Sequence, residues 1–186
     1  MNCERLGVIH DETVLAVIPA RGGSKRCPRK NILPFRNRPL IEWSFEAATR
    51  SIYLDRIVFS TDDQQIKELA MLWTIVIDRP AELATDDATN EDVLRHALSL
   101  YPADWVVLLQ PTSPLRTAAD IDAAIERAQM GNACISYRRD GTKNGAVYVA
   151  RASWLAEHDF TCIEHMRYVM PDERSLDIDE EWQLAS

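Results

Sequence analysis

Two adjacent glycines and five cationic side chains fall within the thirteen residues Pro19-Ala20-Arg21-Gly22-Gly23-Ser24-Lys25-Arg26-Cys27-Pro28-Arg29-Lys30-Asn31, directly after an apolar run at 14–18. Glycine lets a ligand come close to the backbone, and free N–H groups in such a loop can cradle phosphate oxygens. Arg21 brings a planar fork and Lys30 a point charge for the same oxygens. The chain as a whole carries a formal net charge of −8. That field repels a long polyanion such as nucleic acid, so a compact, highly charged ligand of the nucleoside triphosphate type suits the loop better. The alternative is a solvated basic loop. A Walker P-loop is ruled out by order and length, because Gly22-Gly23-Ser24-Lys25 is too short and puts serine before lysine.

Three further constellations carry possible chemistry. Gln110-Pro111-Thr112-Ser113-Pro114-Leu115-Arg116 follows an unbroken apolar run, and its prolines stiffen a loop that holds Gln110 and Thr112 at a sheet edge. A plain turn is the other reading. In Asp177-Ile178-Asp179, alternation puts both carboxylates on one face with Ile178 turned inward. Two such carboxylates repel unless a cation lies between them, and Mg²⁺ is held by one or two carboxylates plus substrate phosphates. An acidic helix start is the alternative, since Glu180 and Glu181 follow. In Asn144-Gly145-Ala146-Val147-Tyr148, Asn and Gly break the chain before a strand, and Asn144 and Tyr148 either point at a pocket or form an ordinary turn and a core-edge Tyr. The cysteines at 3, 27, 134 and 162 and the histidines at 10, 96, 158 and 165 show no ligand spacing. They read as reduced thiols and as structural or exposed imidazoles.

These residues need a frame that brings distant loops together. Strand patterns fall at 14–18, 56–60, 74–77, 105–109, 133–137, 146–150 and 167–170, and helical spacing at 40–50, 64–73, 90–101 and 117–130, with a short helix from Ala152 and a terminal helix after Asp179. Thr61-Asp62-Asp63 reads as a helix cap, and Thr117 with Asp120 as a capping box. Alternating βα units predict an α/β three-layer sandwich with a mostly parallel sheet, in which ligands sit at the carboxyl ends of the strands. A short extension at 1–13 precedes one domain at 14–186. Hydrophobic content of 46% and charged content of 27% suit a globular chain. No apolar run is long enough to span a bilayer, and residues 1–13 lack a signal-peptide core, so the expected location is cytoplasmic.

The stretches IPARGGSKRCPRKNI, STDD, DRPAELATDDATNEDVL, LLQPTSPLR, NGAVYV and RSLDIDEEWQLA occur in one order from about Val14 to Ala185. In them the chain resembles the CMP-sialic acid synthetase family, the acylneuraminate cytidylyltransferases, with their pseudaminic and legionaminic acid members. The resemblance implies a nucleotidyltransferase fold, CTP and Mg²⁺, and transfer of CMP to an acidic small-molecule acceptor, first of all a nonulosonic acid, with release of pyrophosphate. By position it implies nucleotide contacts at Ala20, Arg21, Gly22, Gly23, Ser24, Asn31, Arg79 and Asn90. It puts Gln110, Asn144 and Tyr148 at the acceptor, a metal on Asp177 and Asp179, and catalytic weight on Arg21, Lys30 and Asp179. As loop cations, Arg21 and Lys30 are expected to be exposed and to matter more for turnover than for stability.

Two departures stand out. Arg26-Cys27 replaces a smaller or aliphatic pair, setting a thiol among cations. Between Ser136 and Asn144 the family inserts a long arm that makes its dimer, where this chain has seven residues, 137–143. The nucleotide half is complete and the acceptor half reduced. A monomer, or a dimer through another surface, is expected. A smaller acid such as a phosphonate, or a non-catalytic nucleotide-binding role, are the alternatives.

Overall fold

A computed structural model describes residues 11–23 and 29–185. The calls on Ser24, Arg26 and Cys27 lie outside them. The first strand, β1 (Val14–Pro19), is buried on both faces over its first five residues. Such two-sided burial explains why it reads as an unbroken apolar run rather than an alternating one. A small hairpin of β2 (Pro34–Phe35) and β3 (Arg38–Pro39) leads into α1 (Leu40–Thr49). Then follow β4 (Arg56–Thr61), α2 (Gln64–Ala70), β5 (Ile75–Asp78), α3 (Asn90–Leu100), β6 (Trp105–Leu108) and α4 (Ala118–Ala128). The last third holds β7 (Ala133–Tyr137), β8 (Lys143–Arg151), α5 (Ala152–Glu157) and β9 (Met166–Val169).

Seven strands form one sheet in the order β5-β4-β1-β6-β8-β7-β9. β1 pairs in parallel with β4 and β6, β4 with β5, and β7 with β9. β8 alone runs against its neighbours β6 and β7. Side chains alternate along β1, so Ala16 and Ile18 enter one core layer with Ile41, Phe59, Ile66 and Ile125, while Leu15 and Val17 enter the other with Leu94, Val106 and Leu155. Helices α1, α2 and α4 therefore cover one face and α3 and α5 the other, which is the three-layer sandwich expected.

Local chemistry sets the helix starts. The Asp63 carboxylate accepts from the backbone N–H groups of Gln65 and Ile66. Thr117 and Asp120 make the expected capping box, and Thr89 and Asp92 make a second one on α3. Two boundaries differ from expectation. β8 starts at Lys143, so Asn144 and Gly145 lie inside a strand instead of before it. The β7–β8 register shifts there, and Gly145 has φ +72°, a left-handed value that glycine tolerates and that a bulge requires. The stretch after Asp179 forms a 3₁₀ turn, Glu181–Ala185, in place of an α-helix. Residues 11–13 are fastened to the domain: Glu12 takes an ion pair from Arg151 at 2.6 Å and a hydrogen bond from the Trp105 indole, and the Thr13 amide donates to Asp104.

The link between β7 and β8 is a tight turn, with Arg138 N donating to Thr142 O at 2.8 Å and Gly141 at φ +86°. No arm leaves the body at this point.

Candidate active site

The carboxyl ends of β1, β4 and β6 lie side by side, and a cleft of about 330 Å³ opens above them. Its walls come from four distant segments: the loop after β1, the 79–93 stretch, the Gln110–Thr112 turn and the strand-like segment at 177–179. Crossover connections bring these together, which places the cleft where open α/β sheets bind ligands.

Three cations face the cleft, each held differently. Arg79 is almost wholly buried; its guanidinium donates to the carbonyl and hydroxyl oxygens of Ser60 on β4, at 2.6 and 3.1 Å. Burial draws it down to about 10, so it stays charged at neutral pH. Arg21 is half-exposed and reaches across to the 79–90 stretch, donating to Thr85 O and pairing with Asp86, both at 2.8 Å. Lys30 is 8% exposed, contrary to the expectation of an exposed loop cation. Its ammonium donates to Ile178 O at 2.6 Å and lies 3.6 Å from Asp179 Oδ1. A short 3₁₀ turn, Lys30–Ile32, aims it inward, after Arg29 adopts a left-handed φ of +57°.

The acid pair faces these cations. Ile178 is fully buried beside Phe35 and Leu40, so it anchors the segment as alternation predicted. The Ile178 amide donates to Thr112 O at 2.8 Å, tying the acid pair to the turn after β6. Burial raises the Asp177 carboxyl above its usual range; Asp179 reinforces this, while Thr112 and Lys30 oppose it. A carboxylate under that stress gains from an added cation.

Of the other expected residues, Asn31, Asn90 and Gln110 line the cleft. Asn31 donates to Arg21 O at 2.9 Å and so shapes the loop from within. Ala20 is buried beneath the loop, its amide continuing the β1–β4 ladder to Ser60 O. The Gly22 amide donates to the Asp62 carboxylate at 3.0 Å, and a Cβ at 22 would lie 2.6 Å from Asp63 Oδ2. Gly22 is thus needed for close approach of the Asp62–Asp63 turn, while Gly23 faces open space.

Asn144 does not reach the cleft. It is 1% exposed, and its amide accepts from Ser136 Oγ at 2.6 Å and donates to Ser175 Oγ at 3.1 Å. Its place in the bulged strand turns it into the interior, where it joins β7, β8 and the segment leading to Asp177. Its neighbour Gly145 is the residue near the site: a Cβ there would lie 2.6 Å from Gln110 Oε1 and 3.6 Å from Asp177 Oδ2. Tyr148 is half-buried against Phe160, and burial near Asp177 pushes its phenol up to about 12, so it stays protonated.

Sequence reasoning missed Thr85, Asp86 and Asp62, which partner Arg21 and Gly22, and the interior tie made by Arg116. Arg116 is buried, and its guanidinium donates to Ala146 O at 2.6 Å, Gln110 O at 3.2 Å and Ser44 Oγ at 2.5 Å. Burial lowers it to about 9. The signal was available in part, since an arginine at the end of a proline-stiffened loop has few neutral uses.

Known proteins show the same frame. CMP:2-keto-3-deoxy-manno-octonic acid synthetase, solved as a complex with CTP, superposes with a TM-score of 0.75 at 15% identity, covering 93% of this chain and 95% of its own. A Mycobacterium tuberculosis protein complexed with manganese gives 0.69 at 17% identity, covering 93% and 96%. In sequence, the N-acylneuraminate cytidylyltransferase of Escherichia coli O18:K1:H7 is 30% identical over 213 positions, covering 92% of this chain and 51% of that protein. The pseudaminic acid cytidylyltransferase of Campylobacter jejuni is 38% identical over 120 positions, covering 61% and 52%. The CMP-N,N'-diacetyllegionaminic acid synthase of Legionella pneumophila is 40% identical over 123, covering 61% and 52%. The chain spans about half the length of these relatives. The 213-position alignment is longer than the chain's 186 residues, so the Escherichia coli relative has residues with no counterpart here. The cytidylyltransferase family model matches residues 15–159, and the chain belongs to that family.

Proposed function

We propose that this chain transfers CMP from CTP to the hydroxyl of a nonulosonic-type acid and releases pyrophosphate, acting in the cytoplasm where CTP is made. The observation that carries the reading is one cleft in which Arg21, Lys30 and Arg79 face the Asp177–Asp179 pair. Cations on one wall suit a triphosphate, and an acid pair on the other suits a divalent ion.

Each side chain then has a task. Arg79, fixed by Ser60, sits on the wall formed with Leu83, Ala88 and Val93, a partly apolar surface fit for a base. Arg21 and Lys30 neutralise phosphate oxygens, Lys30 from a buried and preorganised position. Asp177 and Asp179 are the residues that would hold Mg²⁺, and the carboxylate donor set suits that hard cation. When bound, Mg²⁺ would supply charge neutralisation at the phosphates and acidify an oxygen nucleophile. Gln110 lines the acceptor half, and Tyr148, which stays protonated and lies near Asp177 without lining the cleft, is the hydrogen-bond donor behind it. The acceptor oxygen forms a bond to the α-phosphorus, the bond from that phosphorus to the bridging oxygen breaks, and the hydroxyl proton is lost. The chain's own share is mostly positioning and charge complementarity.

A second reading has a specific observation behind it. The 138–142 turn leaves the acceptor side open, which favours a smaller acid such as a phosphonate.

The test is pyrophosphate release from CTP and Mg²⁺ across a panel of nonulosonic acids, smaller keto acids and phosphonates. Release that needs both CTP and a nonulosonic acid, and that is nearly abolished in Asp179→Asn, supports the first reading. CTP binding without release for any acid would leave a nucleotide-binding protein instead.

A further inference from the structure

Outside the cleft, the described residues hold one group of three side chains suited to a metal ion: His158, Cys162 and Glu164. Their ligand atoms all lie within 4.8 Å of one another. His158 and Cys162 are four residues apart and Cys162 and Glu164 two apart, but the segment between α5 and β9 is an irregular loop, so it is the folded backbone and not a helix or strand period that brings them together. We propose that this loop is a binding site for a borderline-soft divalent ion of the zinc class, separate from the Asp177–Asp179 pair.

The donor set decides the class of ion. One imidazole nitrogen, one thiolate and one carboxylate oxygen suit Zn²⁺ or Co²⁺ and do not suit Mg²⁺, which takes oxygen ligands. Tetrahedral zinc bonds of about 2.0–2.3 Å put neighbouring ligand atoms about 3.5 Å apart. A group within 4.8 Å is close to that spacing, and Glu164, the exposed member, has the freedom to adjust to an ion. Three protein ligands leave one position for water.

The loop is prearranged in ways a metal site needs. Nδ1 of His158 lies 3.1 Å from Trp154 O; a carbonyl only accepts, so Nδ1 carries the proton and Nε2 presents its lone pair. The imidazole also stacks on the Trp154 ring with planes 10° apart, which fixes its orientation. Asp159 accepts from the amides of Thr161 and Cys162 and curls the chain so that Cys162 returns toward His158. Cys162 is a free, half-buried thiol. His165, by contrast, has both ring nitrogens engaged, with Tyr137 Oη at 2.7 Å and Cys162 O at 2.7 Å, and is not a ligand.

The site bears on the cleft through Phe160. Its ring packs edge-on against Tyr148, its amide donates to Glu91, and its carbonyl accepts from Lys143. An ion closing the loop from His158 to Glu164 would hold Phe160, and with it Tyr148, which lies behind the cleft lining near Asp177.

The test is titration of the metal-free full chain with Co²⁺ and Zn²⁺ in excess Mg²⁺. Expected are one equivalent bound, a thiolate-to-cobalt charge-transfer band that Zn²⁺ abolishes, and a higher unfolding midpoint with Zn²⁺. Cys162→Ser should remove the band, and His158→Gln should weaken binding at least about tenfold, both with unchanged circular dichroism. Zn²⁺ should also shield Cys162 from a maleimide. Absence of stoichiometric binding, or a band that survives in Cys162→Ser and so comes from another thiol, would overturn the proposal.

Discussion

Lys30 and Asp179 form one unit across the cleft: the lysine ammonium lies 3.6 Å from the carboxylate and donates to the neighbouring Ile178 carbonyl at 2.6 Å. The 3₁₀ turn after β1 is thereby pinned to the acid segment, and a residue expected to be an exposed loop cation proves to be part of the interior. Lys30→Ala should lower turnover by about 10²–10³ and also lower the unfolding midpoint, because it removes a buried ammonium that donates to Ile178 O and lies beside Asp179. Arg21→Ala should lose turnover on a similar scale with little change in midpoint, since its pairing with Asp86 is half-exposed. Kinetics run beside thermal unfolding separate the two. Equal effects on stability would show that the two cations are held alike.

Asp177 should trade stability for function. Its folded-state pKa is raised above the unfolded value by burial first and by Asp179 next. A raised carboxyl contributes stability that is present below the unfolded pKa and is lost as pH rises through the folded pKa. Without divalent ions, Asp177→Asn should therefore melt a few degrees higher than wild type at neutral pH, with the gap closing as pH falls through the raised folded pKa and gone by about 4, the unfolded value. Mg²⁺ should raise the wild-type midpoint and leave the variant unmoved, while turnover is lost. A variant less stable than wild type at pH 7 would contradict this account.

Asn144 should behave as a structural residue. Its amide takes one hydrogen bond from Ser136 and gives one to Ser175, both buried. Asn144→Ala strands these partners and should destabilise by about 1–3 kcal/mol, read as a shifted denaturant midpoint. Activity should fall with it, because Ser175 leads into Asp177. An unshifted midpoint with a raised KM for the acceptor would restore a direct contact role.

The β7–β8 turn should leave the chain without an arm-exchanged dimer. Residues 138–142 close on themselves through Arg138 and Thr142 and reach no further. Sedimentation should give a monomer, or a dimer in which no residue of one chain lines the other's cleft, and acceptor binding should be weak because few groups desolvate and orient the acid. Crosslinking between position 140 and a partner's cleft would count against it.

Much of this was written in the sequence because it is local. Two-sided burial makes β1 and β6 unbroken apolar runs, and a capping side chain acts on amides two or three residues away, so the cap within Thr61-Asp62-Asp63 and the Thr117–Asp120 box could be read directly. The inward turn of Ile178 followed from alternation alone. The sequence thus determined the sandwich and the facing of the acid pair. Tertiary structure decided the rest, because it depends on partners far apart in the chain. Arg21 meets Asp86 only through the crossover from β1 to the 79–90 stretch. Arg116 meets Ser44 across 72 residues of sequence. Asn144 turned inward because a bulge changed the facing of its strand, and alternation cannot foresee a bulge. His158, Cys162 and Glu164 converge in a loop without a period, where only the folded backbone sets which side chains are neighbours.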